Sequence, residues 1–274
     1  MPKRVGLHVR VHDSLVAVAQ QAIDLSLPFF QSFLFLQYKK RAVIPSSKEI
    51  DAFRMLSEKH FKTLFAHGSF WLNLALSESY AIQSFKRELA LAKALGFTHL
   101  ILHTGVIEVN KQQSIKRVAD TINIVMRKED TITLVLENTA HGDHLIGSDL
   151  HDFVYLRSYL DFPERVQFCI DTAHAHAYGY QLDTPTAIDM FIDYIDQQLG
   201  LDSIVLLHLN DVVDPLGSKI DRHAMLGQGL LGANLHYFAT HNRVMHIPII
   251  LELPNQEPHM IHDALQLART WCNE

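Results

Sequence analysis

Six apolar runs in this 274-residue chain each end in a histidine or a carboxylate. "TLFAH" closes on His67, "LILH" on His103, "TLVLE" on Glu137, "QFCID" on Asp171, "IVLLH" on His208 and "PIILE" on Glu252. His174 follows Asp171 by three residues, and "DRHAMLGQG" adds Asp221 and His223 separated by one residue. Burying such groups at the ends of apolar segments is costly unless they are paired or bind an ion. Imidazole with carboxylate and no thiolate suits zinc, manganese or iron rather than an oxygen-bound calcium. Four carboxylates and five imidazoles exceed what one ion can use. At about four ligands per zinc, with some sharing, they imply two or three ions. Asp171 and His174 would then serve different ions from one strand end. Any one of the 18 histidines alone is better explained as a core or surface residue. Equivalent placement is what singles this set out.

The elements that must position these groups repeat. Eight short β-rich runs begin near residues 5, 29, 63, 100, 133, 167, 204 and 248. Helical patterns separate most of them. "SSKEIDAFRMLSEKH" opens with the capping-box pair Ser46 and Glu49. Ile82, Phe85, Leu89, Ala92 and Leu95 keep helical spacing and stop at Gly96, and Ile115, Val118, Ile122 and Val125 form a second stripe. Thr184 and Pro185 start a helix whose apolar face runs through Ile188, Phe191, Ile195 and Leu199 to Gly200. "MIHDALQLARTW" is the last helix. Strand–helix alternation repeated eight times predicts an α/β fold, a (β/α)8 TIM barrel spanning 1–274 as one domain. A doubly wound sheet lacks its glycine fingerprint after the first strand. In a barrel the ligand-type residues would share the C-terminal rim.

Composition limits the rest. Apolar residues make up 48% of the chain and charged residues 20%, ordinary values for a globular protein. Cys169 and Cys272 are too few for a disulfide framework or a thiolate zinc site, which fits a reducing compartment. "MPKRVGLHVRVHDS" has no apolar signal core, and "LSLPFFQSFLFLQ" is too short to span a bilayer. The expectation is a cytoplasmic protein that does not contact membranes. A net charge of −6 argues against holding nucleic acid by a basic surface alone. His141, His144, His151 and His176 are expected on loops or helix surfaces. His8 is expected to line the pocket without being a ligand.

Seven segments, "AHGSFWLNL", "LILHTG", "LVLENTA", "CIDTAHAHAYGY", "LHLND", "DRHAMLGQGLLG" and "LELP", closely resemble the endonuclease IV family of apurinic/apyrimidinic endonucleases. They cover roughly residues 63 to 254, in the family's order and at about its spacing. The resemblance implies a barrel holding three Zn2+, with Mn2+ or Fe2+ as alternatives at one site. His67, His103 and Glu137 would hold the first ion. Glu137 would bridge to a second, completed by Asp171, His208 and Glu252, and His174, Asp221 and His223 would hold the third. Glu137 and Glu252 are the carboxylates expected to act in the chemistry. Three divalent ions would offset the formal charge of the bare chain.

The implied activity is hydrolysis of the phosphodiester 5′ to an abasic site, leaving a 3′-hydroxyl, in base excision repair. Damaged duplex DNA is the expected partner and a monomer the expected state. The chain departs from the family pattern at Thr104, where proline is usual, and in "HVRVHDS", "LQYKKRAV" and His141-Gly142-Asp143. Those loops touch DNA in the family. Lys39, Lys40 and Arg41 are expected to hold phosphates, and Phe70 and Trp71 to wedge into or stack on the opened duplex. The alternative is a metal-dependent sugar isomerase or epimerase of the xylose-isomerase-like barrels. Such an enzyme would not need the trio His174, Asp221 and His223.

Overall fold

The computed structural model describes residues 4–38, 41–76, 78–108, 110–129, 131–140 and 144–273. The eight expected runs are strands: β1 (Val5–His8), β2 (Phe30–Phe33), β3 (Phe65–His67), β4 (His99–Leu102), β5 (Thr133–Glu137), β6 (Val166–Asp171), β7 (Ile204–His208) and β8 (Ile249–Leu251). They hydrogen-bond in the order β1-β8-β7-β6-β5-β4-β3-β2 as a closed barrel. Register sets the height of each ligand-type residue. Phe33 pairs with His67 and His67 with Ile101, so His103 lies two residues beyond that level. Asp171 pairs with His208 and His208 with Ile250, so Glu252 again lies two residues further. Residues two apart on a strand share a face.

The chain packs as two compact units. One comprises Gly6–Leu136 with Tyr159–Val166. Its helices are α1 (Leu15–Asp24), α2 (Ser47–His60), α3 (Glu78–Leu95) and α4 (Lys111–Met126). The Ser14, Ser46 and Asn110 side chains cap three of them, each accepting a backbone N–H three residues on. Only half of the expected capping box is used locally, because the Glu49 carboxylate accepts from Leu15 N–H at the start of α1 at 2.8 Å. On α3 Phe85, Leu89, Ala92 and Leu95 are buried and Ile82 is half-buried, and on α4 Ile115, Val118, Ile122 and Val125 are all buried. Phe30 meets Phe53, Phe61 and Phe97 edge-on with centroids 5.0–6.5 Å apart. "LQYKKRAV", read as a loop, forms two short antiparallel strands, Leu36–Tyr38 and Arg41–Val43. Aromatic and β-branched residue types in the segment favour that pairing.

The other unit comprises Met1–Val5, Glu137–Ser158 and Gln167–Glu274. It carries α5 (His151–Ser158), α6 (Thr172–Tyr178), α7 (Pro185–Leu199), α8 (Asn234–Thr240) and α9 (Pro258–Cys272). Thr184 caps α7, Pro185 opens it, and Gly200 closes it with φ 76°, a left-handed conformation that glycine adopts freely. The α7 residues Ile188, Phe191, Ile195 and Leu199 are buried. Between β7 and α8 the chain leaves as Asp211–Val212 and returns as His223–Ala224, which pair antiparallel.

Candidate metal centre

β6 ends in Asp171, whose carboxylate caps the helix that follows by accepting from His174 N–H at 2.8 Å. The D-x-x-H spacing is thus a capping geometry: the residue that starts α6 orients the histidine in its first turn. Glu137, Asp171 and His208 are fully buried and His174 nearly so. Glu137, Asp171, His208 and Glu252 each offer a ligand atom within 4.8 Å of the others. His208 Nδ1 lies 2.8 Å from Glu137, 3.6 Å from Glu252 and 3.8 Å from Asp171. Asp171, His174 and His223 form a second such group. Asp221 joins it, 3.2 Å from His174 Nε2 and 3.1 Å from His223 Nε2.

In the other unit, His67 closes β3 and His103 directly follows β4, with ring centroids 5.3 Å apart. Three candidate ligands share one orienting device. Nδ1 of His67 meets the Gly68 carbonyl at 2.8 Å, that of His174 the Asn138 carbonyl at 2.8 Å, and that of His223 the Glu252 carbonyl at 2.9 Å. A carbonyl oxygen only accepts, so each Nδ1 carries a proton, and in the neutral ring Nε2 is left with the lone pair. This is the tautomer and orientation that ligation through Nε2 requires. The donor set therefore fits divalent ions of the zinc class.

The electrostatics agree with the donor set. Burial pushes Asp171 above the usual carboxylate range, while His174, His223 and His208 pull against it. Burial opposes charging His208 and His174, yet the surrounding acidic groups raise both well above the ordinary histidine value. His223, also disfavoured by burial, is raised to about 9 by Asp221, Asp171 and Glu252. Asp221 resists its own burial and is held low by His174 and His223. Without an ion, protons on imidazole occupy the position that a cation between these carboxylates would take.

Residues that the motifs contained without an assigned role complete the site. Asn210 Nδ2 donates to Asp171 at 2.6 Å and to Glu252 at 3.2 Å, and its Oδ1 accepts from Glu252 N–H. Asn138 Oδ1 accepts from Asp171 N–H at 2.7 Å. Both asparagines adjoin candidate ligands in "LENTA" and "LHLND", and adjacency was their one sequence signal. Glu88 had none. It is buried in α3 and accepts from Ser69 N–H at 2.9 Å, under the loop that follows His67. Burial foremost raises its carboxyl above the usual range.

Phe70 and Trp71 on that loop are 68% and 42% exposed, unusual for large aromatic side chains. The Phe70 ring lies 6.0 Å from His67 and 6.5 Å from His103. Lys39, Lys40 and His141 lie outside the described residues, and Arg41 opens the second strand of the short hairpin. His176, expected on a surface, is buried within α6, where alanines on both sides let the helix pack closely. His151 and His144 are exposed as expected. His8 is buried, with Nδ1 2.8 Å from Gln31 Nε2 and its ring 6.1 Å from that of His67. No helix among the described residues is long and apolar enough to cross a membrane.

Residues 28–271 match the family described as xylose isomerase-like TIM barrel, which defines the class. Within it, the chain belongs to the endonuclease IV family. It is 30% identical to a protein named probable endonuclease 4 from Chlorobium phaeovibrioides, covering 93% of this chain and 95% of that one. A protein of the same name from Mycoplasma pneumoniae is 28% identical, with 99% of each chain covered. Among solved structures, endonuclease IV from Thermus thermophilus superposes with a TM-score of 0.85 at 27% identity, again covering 99% of each chain. A D-tagatose 3-epimerase-like protein superposes at 0.77 with 14% identity, covering 99% of this chain and 97% of that one, a likeness of fold alone.

Proposed function

We propose that this protein is a zinc-dependent apurinic/apyrimidinic endonuclease that cleaves the phosphodiester 5′ to an abasic site and leaves a 3′-hydroxyl. The observation that carries this reading is the convergence of buried carboxylates with histidines whose Nε2 atoms are presented by carbonyl-bound Nδ1 atoms. The names of the relatives at 28% and 30% identity support a nuclease. By the family's pattern His67, His103 and Glu137 would hold one ion; Glu137, Asp171, His208 and Glu252 would hold a second; and His174, Asp221 and His223 would hold a third. Mn2+ or Fe2+ is the alternative at one position. Divalent ions bound in this way acidify water and offset the charge on phosphate.

The chain's own groups do the rest. Glu137 would serve two of those ions, and Glu252 is held in place by Asn210. Phe70 and Trp71 stack against the opened duplex, and Lys39, Lys40 and Arg41 hold phosphates of the damaged strand. The protein acts as a cytoplasmic monomer formed of one barrel domain. The test is a duplex oligonucleotide carrying one tetrahydrofuran abasic analogue. Zinc-loaded protein should incise it on the 5′ side and leave an end that a polymerase extends. An intact oligonucleotide, with epimerisation of a ketohexose under the same conditions, would replace this reading with the isomerase one.

A further inference from the structure

The connection that carries Asp221 and His223 is closed at its base by a carboxylate that is not one of the candidate ligands. Asp211 is 1% exposed and stands three residues after His208, the last residue of β7. Its Oδ1 accepts from Val212 N–H at 2.9 Å and from Leu231 N–H at 3.0 Å, and its Oδ2 from Gly229 N–H at 2.9 Å. Gly232 N–H also approaches it, at 3.3 Å. These donors belong to the point where the connection departs and the point where it returns. Between them His223 is pinned to Val212 by the short antiparallel pairing, and Val213 N–H reaches the Arg222 carbonyl at 3.2 Å. A methyl group at Gly229 would run into the Asp211 carboxylate and the Val212 carbonyl, so the returning chain passes as closely as a backbone can.

The middle of the connection is tied to the helix that carries His174. Gly217 N–H donates to the His176 carbonyl at 3.0 Å and Lys219 N–H to the Ala177 carbonyl at 2.9 Å. Arg222, between the two ligand-type residues, donates to Asp214 at 2.8 Å. Ordering a surface connection of this length costs conformational entropy. If the clamp supplies that order beforehand, an ion does not have to supply it on binding.

We infer that Asp211 is a positioning residue for the third ion: its carboxylate holds the 211–232 connection closed so that Asp221 and His223 face His174 before any ion arrives. This rests on the three-ion reading above. It predicts that breaking the clamp selectively weakens one ion of three.

Two variants test it, Asp211→Asn, which replaces acceptor capacity with an amide, and Gly229→Ala, which presses on the clamp from the other side. The zinc content of loaded protein is measured during titration with a competing chelator, and amide hydrogen exchange is measured on the metal-free protein. Each folded variant should release one ion at about 10–100-fold lower chelator strength than wild type, the usual scale for residues that orient ligands, and keep the other two. Exchange at Gly229, Leu231 and Gly232 should accelerate in both. The double variant should be little worse than either single one, since both remove one interaction. If Asp211→Asn fails to fold, Gly229→Ala carries the test. Three equally tight ions in a folded variant would overturn the inference. If wild type itself holds only two ions, the three-ion reading fails, and the exchange data decide the clamp alone: unchanged protection in Asp211→Asn overturns it.

Discussion

Glu129 and Asp171 both bury a carboxylate, and their surroundings differ in kind. Glu129 is met entirely by donors: Lys93 Nζ at 2.7 Å, the Thr131 hydroxyl and N–H at 2.6 and 2.8 Å, and Ile132 N–H at 3.1 Å. Burial works against its charge, but those donors bring its pKa down to about 2. Asp171 has two donors of its own, His174 N–H and Asn210 Nδ2, and shares its space with Glu137 and Glu252. Its pKa moves the opposite way. Where a buried charge is structural, this protein neutralises it with its own N–H and ammonium groups. Where carboxylates converge with imidazoles between them, the balancing charge is a proton on a histidine or a bound cation.

The largest break in that contrast should come at Glu137. Glu137→Gln keeps the shape and removes a charge shared by two ligand groups, so incision of abasic DNA should fall at least ~100-fold while DNA binding falls far less. Near-normal incision would show that the converging carboxylates are not the reaction centre.

Protonation separates the two regions next. With His223 raised from 6.5 to about 9, metal-free protein gains stability from that group fully below about pH 6.5 and loses it as pH rises through about 9. Ligation needs the neutral imidazole, so zinc affinity should rise across the same window, by about tenfold per pH unit for each proton displaced. Zinc-buffer titrations between about pH 6 and 9 check this. Glu129, whose pKa is lowered from 4.5, has the reverse sign: its contribution is present above about pH 4.5 and is lost as pH falls through about 2.

How much of this could be read from residues alone follows from the type of interaction. Strands closing on His67, Glu137, Asp171 and His208, with His103 and Glu252 one residue past theirs, were legible because apolar runs and ligand side chains are written in residue types. The caps at Ser46 and Thr184 were legible for the same reason. What sets the imidazole tautomers was not, since the Gly68, Asn138 and Glu252 carbonyls belong to the backbone and leave no mark on composition. Glu88, one more acidic residue on a helix, and His176, buried instead of exposed, depend on which neighbours the fold brings near.

A smaller effect sharpens the structural side of the contrast. Glu129→Gln should cost about 1–3 kcal/mol, because Lys93 and the Thr131 and Ile132 N–H groups lose a charged acceptor. Thermal unfolding should fall by several degrees with zinc content and incision unchanged. A loss of zinc in this variant would mean that the two kinds of burial are not independent.

The smallest effect concerns charge that does not depend on ions. Replacing Lys39, Lys40 and Arg41 by Ala should weaken abasic-DNA binding and flatten the plot of log affinity against log salt by roughly one unit for each phosphate no longer held. Ion content should be untouched. An unchanged slope would put the DNA surface elsewhere.

The most direct measurement is elemental analysis of protein loaded with zinc and dialysed to constant composition. The expected result is close to three divalent ions per chain, falling when Glu137, Asp171 or Asp221 is replaced and holding when Glu129 is. Two or fewer ions in fully loaded wild-type protein would contradict it.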